Sequence, residues 1–376
     1  MDKIRVAHVI YGLKFGGAEM LLVAIATKMD REKFDTRVIA LTCGGPVEKI
    51  LREKGIDVRV LGWRGKFHTI AFAKLIRMLR EERYDVVHTH LFKADLWGRM
   101  AARLAGVPVV VSTIHGSTMN IADLLKEIAT ARFMDRIIGL YDEARRFIVD
   151  RLRVSGDKVV IIPNGVDSLK FMNVRCDVRK KREELGVSAD AFVVASIGRL
   201  VKMKGQEYFI KAIGEACARN KKIVGIIVGS GEMEAELKKL CADLSIADNC
   251  VLVGERRDIP EILSAIDSVV ISSVYGEALS MVMIEAMVAG KVVITTNGGA
   301  TSEIVKHGHN GFIVEPKDYH SIAALLVDLS GNRERVMKVG EAATQTIMQR
   351  YTEEKMIASI RTLYEDLLRE KKAQAR

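Results

Sequence analysis

At 376 residues the chain is long enough for two domains of roughly 150 residues each, and 49% apolar with 28% charged residues excludes a disordered or fibrous protein. No uncharged apolar run approaches the ~18 residues of a membrane span, and the first, Val6–Ile10, is too short for a secretory signal, so a soluble, cytoplasmic protein is expected. The +10 net charge is one-sided: residues 1–160 carry 28 Lys and Arg against 19 Asp and Glu, and residues 161–376 carry 30 against 29, so the first half is expected to meet something anionic.

In chain order, short apolar runs alternate with segments of helical period. A strand over 4–12 leads through a Gly-bearing loop to a helix over 18–29. Then come a strand at 36–43, a helix near 47–54, a strand at 57–62 and the basic stretch "RGKFHTIAFAKLIRMLREER" at 64–83. In that stretch Lys74, Arg77 and Arg80 fall at helical spacing beside Ile70, Phe72, Leu75, Ile76 and Leu79. It reads equally as a solvated basic face or as a contact with an anionic membrane or acceptor. Strands at 85–90, 107–116 and 136–140 alternate with helices near 94–105 and 120–133, and after "KVVIIPNGVD" (158–167) the character changes. Such alternation builds a mostly parallel sheet wrapped by helices.

The stretch 168–183 has little strand character and ends in basic residues, and it is read as a linker between domains 1–167 and 184–350. A second α/β series follows, with strands at 191–199, 222–231, 250–255, 268–273 and 291–296 and helices at 206–217, 232–244 and 281–289. Both halves open alike: strand, Gly-bearing basic loop, helix. Two similar nucleotide-binding-type domains facing across a cleft are therefore expected, with residues 351–376 a helix that packs back onto the first. Five scattered cysteines without a CxxC pair read as reduced thiols.

The chemistry concentrates in the second half. In "GRLVKMKG" (198–205) Arg199 and Lys204 place two cations on a loop that leaves a strand's carboxyl end and enters a helix, a setting suited to a diphosphate. In "EALSMVMIE" (277–285) Ser280 reads as an N-cap, Met281–Ala289 as a helix and Gly290 as its stop. Glu285 then sits among apolar residues, where an unpaired carboxylate costs several kcal/mol. It needs either an internal Arg or the adjacent hydroxyls of a ribose. Glu277, about 12 Å away on a helical rise, would reach sugar hydroxyls at the other end of an extended ligand, with the Leu279–Met281 amides facing the phosphates between them. That separation exceeds the roughly 5–9.5 Å of a glycosidase pair. No DxD occurs in the chain, which removes the commonest arrangement for a metal-bridged diphosphate, so charge neutralisation would fall to Arg199, Lys204 and the helix terminus.

In the first half, Gly16 and Gly17 of "GLKFGGAE" permit close backbone approach to a phosphate or sugar. "GSGEME" (229–234) imitates a dinucleotide fingerprint but reads as a turn and helix start, because Glu234 stands where the third Gly belongs. His88, His90 and His115 lie at strand carboxyl ends. A three-His zinc site is the minor reading, since no activating Glu or second-shell signature accompanies them, and His115 in "STIHGST" is the candidate polar group at a reaction centre.

Together, "GRLVKMKG", Glu277-x7-Glu285, "TTNGGATSEIV", "HNGFIVEP", "GGAE" and "IPNGVD" resemble the retaining nucleotide-sugar glycosyltransferases of family 4, over residues 4 to 365. The resemblance implies the two-domain GT-B fold, with the first domain binding the acceptor, the second the donor, and the C-terminal helix returning to the first. It implies that Arg199 and Lys204 hold the donor diphosphate, Glu285 the ribose and Glu277 the transferred sugar. Gly16 and Gly17 would lie over the phosphates and His115 near the anomeric carbon, without metal. Donor-binding residues would thus be Gly16, Gly17, Arg199, Lys204, Glu277, Ala278, Leu279, Ser280, Met281 and Glu285. The family's Glu-Gly-(Leu/Phe)-(Pro/Gly) is here Glu277-Ala278-Leu279-Ser280, and Ala278 resists φ > 0, so the loop beside the sugar would differ.

The expected reaction is sugar transfer from a UDP- or GDP-sugar to an acceptor hydroxyl, by front-face substitution with retention, in cell-envelope glycolipid or polysaccharide synthesis. The acceptor is either lipid-linked at an anionic membrane face, which would make the enzyme peripheral, or a small soluble molecule. The basic first half favours the former, and no nucleic-acid partner is expected. A nucleotide-sugar epimerase of the same architecture and a non-catalytic binder are the competing readings.

Overall fold

The computed structural model describes residues 3–63, 69–115, 120–275 and 279–374. The chain divides into two compact units, Met1–Gly165 together with Glu353–Arg376, and Val166–Thr352.

The first unit is built on seven strands: β1 Ile4–Ile10, β2 Phe34–Ala40, β3 Asp57–Val60, β4 Val86–His90, β5 Val109–Thr113, β6 Arg136–Gly139 and β7 Val159–Ile161. They lie in the order β3-β2-β1-β4-β5-β6-β7, every pairing parallel. The central strands are almost continuously buried because helices cover both faces. One face packs against Leu21, Ile25 and, from the helix Glu353–Gln374, Met356, Ile360 and Tyr364. The other carries the helices Thr69–Glu81, Phe92–Ala105 and Ile121–Ala131, through Leu75, Ala101, Ala102 and Ala131.

The second unit has six strands: β8 Phe192–Ile197, β9 Ile223–Val228, β10 Cys250–Gly254, β11 Ser268–Ile271, β12 Val292–Thr296 and β13 Phe312–Val314. Their order is β10-β9-β8-β11-β12-β13, again all parallel. In each sheet the first strand sits in the interior and the chain winds outward in both directions. This makes a topological switch point between β1 and β4 and another between β8 and β11, and open α/β sheets bind ligands at the carboxyl ends of such strands.

The stretch 168–183, read from the sequence as a linker, instead carries the helices Ser168–Met172 and Val178–Glu184, and it belongs to the second unit. Asp167 and Asp177 cap them by accepting hydrogen bonds from the Lys170 and Lys180 amides. Lys181 bonds Asp258, and Arg182 bonds Asp267, fastening the second helix to the unit. "GSGEME" forms a turn before the helix Glu234–Asp243, as its missing third glycine implies. A Cβ on Gly229 would lie 2.0 Å from the Gly198 carbonyl oxygen, so the glycine serves close packing of two loops.

Candidate functional site

The loop leaving β8 runs from Gly198 to Gly205 and enters the helix Gln206–Arg219. It is clamped to the loop leaving β11, the neighbouring strand across the switch point. Ser272 Oγ donates to the Gly205 carbonyl at 2.8 Å and also lies 3.2 Å from the Lys204 carbonyl. The Val274 amide donates to the Met203 carbonyl at 2.8 Å. Gly205 has φ +61, and a Cβ there would lie 2.2 Å from the Ser272 carbonyl oxygen. A third loop joins them, because Thr296 Oγ1, at the end of β12, donates to the Ser273 carbonyl at 2.6 Å.

These bonds fix the backbone that carries both cations. Arg199 is exposed, and its side chain makes no ion pair among the described residues. Its carbonyl is held by Gln206 Nε2 at 3.0 Å. Lys204 is half-buried, and its Cε comes 4.0 Å from the position a Cβ on Gly198 would take. The lysine stem therefore folds back over the end of β8.

The helix Met281–Val288 starts at Ser280, whose hydroxyl accepts from the Met283 amide at 3.4 Å, and it stops at Gly290 with φ +71. Met283, Ile284, Ala286, Met287 and Val288 are buried. Glu285 is half-buried among them, with no hydrogen bond or ion pair to any described residue. Burial pushes its carboxyl up to about 7, and the charge of Lys170 opposes that rise. Lys170 rides on the short helix capped by Asp167, so "IPNGVD" delivers it. No local signal links these two segments. Glu277 and Ala278 lie outside the described residues; Leu279 is half-buried and Ser280 buried. In "HNGFIVEP" the buried Asn310 closes its turn, accepting from the Lys306 amide at 2.6 Å and donating to the Ile304 carbonyl at 2.9 Å.

In the first unit, Gly16 is extended and caps the helix Gly17–Lys28, and a Cβ on Gly17 would meet no atom within 4 Å. A Cβ on Gly16, by contrast, would lie 2.4 Å from Glu19 Oε2, so the Glu19 side chain folds over that position. The histidines group differently from the expected trio. His8, His88 and His90 are fully buried and can each bring a ring nitrogen within 4.8 Å of the others. His8 joins because β1 lies beside β4, with His8 in register with His88. His8 Nδ1 and His90 Nε2 are 2.9 Å apart, while His88 bonds Tyr364 at 2.5 Å and Thr113 at 2.7 Å. The facing nitrogens thus already serve a hydrogen-bond network. His115 follows β5, its ring centroid 6.1 Å from that of His90. Burial lowers His115 to about 4 and His8 to about 3, so the imidazoles are neutral near pH 7.

Known proteins resemble the chain over nearly its whole length. A model of the glycosyltransferase family 4 domain matches residues 15–168, and one of the glycosyl transferases group 1 domain matches residues 177–346. The Escherichia coli UDP-Gal:alpha-D-GlcNAc-diphosphoundecaprenol alpha-1,3-galactosyltransferase is 30% identical, over 98% of each chain. A D-inositol 3-phosphate glycosyltransferase of Acidothermus cellulolyticus is 25% identical over 88% of this chain and 77% of the relative. Among solved structures, Anabaena HepE in complex with UDP superposes with a TM-score of 0.87 at 24% identity, covering 96% of this chain and all of that one. The second unit's switch-point loops fall within the group 1 match, and the chain belongs to the family 4, group 1 glycosyltransferases of GT-B fold.

Proposed function

We propose that this glycosyltransferase moves a sugar from a nucleoside-diphosphate sugar to an acceptor hydroxyl with retention of configuration and without a metal ion. The observation that carries the reading is the clamped loop Gly198–Gly205, whose backbone presents Arg199 and Lys204 at the switch point of the second unit's sheet. The second unit takes the donor and the first the acceptor.

As the bond from C1 to the phosphate oxygen breaks, negative charge grows on the diphosphate and positive charge on the ring. Arg199, Lys204 and the Leu279–Met281 amides stabilise the leaving group. Glu285 accepts the ribose hydroxyls, which would satisfy a carboxylate that has no partner among the described residues. Glu277 holds the transferred sugar, Gly16 and Gly17 approach the phosphates, and His115 presents a neutral imidazole beside the anomeric carbon. The acceptor oxygen attacks C1 from the face the phosphate leaves, and its proton passes to the departing phosphate oxygen. The new C1–O bond replaces the old with nothing left over.

The name of the E. coli relative supports UDP as the nucleotide and a diphosphate-linked lipid acceptor in glycan or glycolipid synthesis. The basic first half fits an anionic membrane face, as do Ile70, Ile121 and Leu125, which are 85%, 78% and 61% exposed. Arg77 and Arg80 contribute less than their spacing implies, since Arg77 pairs with Glu81 and Arg80 bonds the Leu104 carbonyl. No helix among the described residues is long and apolar enough to cross a membrane. The test is nucleotide release from a UDP-sugar with and without acceptor, in EDTA, with the product's anomeric configuration read by NMR. Acceptor-dependent release with an α-linked product from an α-linked donor is expected. Release without acceptor, inversion, or abolition by EDTA would overturn the reading.

A further inference from the structure

At the amino edge of the first unit's sheet, opposite the carboxyl ends that Gly16 and His115 follow, lies a recess of about 690 Å³. Its rim carries Lys3, Arg5, Arg31 and Arg83, against the carboxylates of Asp35 and Asp85. Four cations face two carboxylates, so the lining keeps an excess of two positive charges. Asp35 faces Arg37 at 3.4 Å, and Asp85 Oδ2 accepts the Arg5 backbone amide at 2.8 Å. Among the described residues, none of the four cations has an ion-pair partner.

Two of the arginines are anchored rather than loose. Arg5 donates one N–H from Nη1 to the Glu82 carbonyl at 3.0 Å, and Arg31 donates one from Nη2 to the Lys54 carbonyl at 2.5 Å. Both carbonyls follow helix ends, where a guanidinium is favourable. Each guanidinium has five N–H groups, so this anchoring leaves most of the fork for a ligand. Arg31 lies over Gly55, where a Cβ would come 3.4 Å from its Nη1, so the glycine provides its seat. Arg83 holds φ +49, a left-handed conformation rare for a residue with a side chain. Thr36 Oγ1 is buried in the wall without a hydrogen bond among the described residues.

We infer that this recess is a second anion site, distinct from the donor site, and that it binds a small soluble molecule bearing a phosphate or diphosphate. Planar guanidinium forks match phosphate oxygens in pairs. The volume falls in the range of about 300–1,000 Å³ typical of small-molecule sites.

The probe is inorganic pyrophosphate, titrated by calorimetry into the full chain carrying Arg199→Ala and Lys204→Ala, which removes the proposed donor cations. One equivalent is expected to bind, with affinity falling at least tenfold when Arg31→Ala and Arg83→Ala are added. Arg83→Gly alone removes a cation while relieving the left-handed backbone, so it keeps the test independent of folding. It should weaken binding about fivefold with no loss of thermal stability. Absence of heat, or affinity within twofold after these changes, would overturn the inference. Flotation with phosphatidylglycerol vesicles separates the other source of the same chemistry. Vesicle binding lost in Arg31→Ala/Arg83→Ala, with no pyrophosphate heat, would replace the soluble ligand by a lipid headgroup and sink the proposal as stated.

Discussion

Replacing Glu285 by Gln should stabilise the ligand-free protein while damaging its activity. The carboxyl is moved from its ordinary 4.5 up to about 7 by burial. Each pKa unit corresponds to about 1.4 kcal/mol, so ionised Glu285 opposes folding by at most about 3 kcal/mol. Because the side chain is half-buried and water can relax around its tip, about 1–3 kcal/mol is expected. The sign fixes the pH window. Below 4.5 the carboxyl is protonated in both states and there is no penalty. Between 4.5 and 7 the unfolded chain releases its proton first and folding weakens, and above 7 the penalty is complete. Urea unfolding of Glu285→Gln and the parent, at pH 8 and at pH 4.5, should therefore show a gain at pH 8 that vanishes at pH 4.5. In the same variant kcat/KM should fall by about 10- to 100-fold, the loss of one or two charged hydrogen bonds to the ligand. Equal destabilisation at both pH values would mean that the carboxylate holds the fold together, and unchanged kcat/KM would remove it from the site.

Two further outcomes follow from the packing. Gly205→Ala meets both a left-handed backbone and the Ser272 carbonyl, whereas Gly186 has φ +72 with nothing within 4 Å of its missing Cβ. Gly186→Ala should lower stability by about 1 kcal/mol, and Gly205→Ala by clearly more, and only the latter should impair nucleotide binding; equal losses would refute the clamp. The buried histidines make the first unit acid-sensitive. Their folded pKa values lie below the unfolded ~6.5, so the unfolded chain binds more protons as pH falls from about 6.5 towards 4, the value to which His115 is lowered. Stability should fall with a limiting slope of about 1.4 kcal/mol per pH unit for each imidazole, and a flat urea midpoint between pH 7 and 5 would contradict the burial of these rings as neutral groups.

Some of this was legible without coordinates because the signals are local. Ser280, the apolar run and Gly290 announce a capped helix, and that helix places Glu285 in an apolar setting. Gly198 after "FVVASI" marks a strand end, and Arg199 and Lys204 follow it. What escaped was held by distant partners. The helix Val178–Glu184 buries none of its residues, so no apolar stripe reveals it; it stands on Asp177 and on ion pairs to Asp258 and Asp267. His8 meets His88 and His90 only because β1 and β4 are neighbours, which alternation of strands and helices does not dictate. Arg99, Asp95 and Glu127 look like the solvated face of amphipathic helices, yet all three are buried. Arg99 lies 2.5 Å from Glu127 and donates from Nε to Ser112 Oγ at 2.7 Å. Desolvation raises Asp95 to about 7 despite the opposing charge of Arg99.

Equilibrium binding of UDP to the parent chain and to Arg199→Ala, Lys204→Ala and Lys202→Ala asks most directly whether a fixed pair of cations receives the diphosphate. Lys202 is an exposed cation in the same turn and serves as the control for general charge. Affinity should drop at least tenfold for Arg199→Ala and for Lys204→Ala and stay within about threefold for Lys202→Ala, since charged hydrogen bonds contribute about 1.5–3 kcal/mol each. Equal, small losses in all three would show that the diphosphate feels only diffuse positive charge, or binds elsewhere.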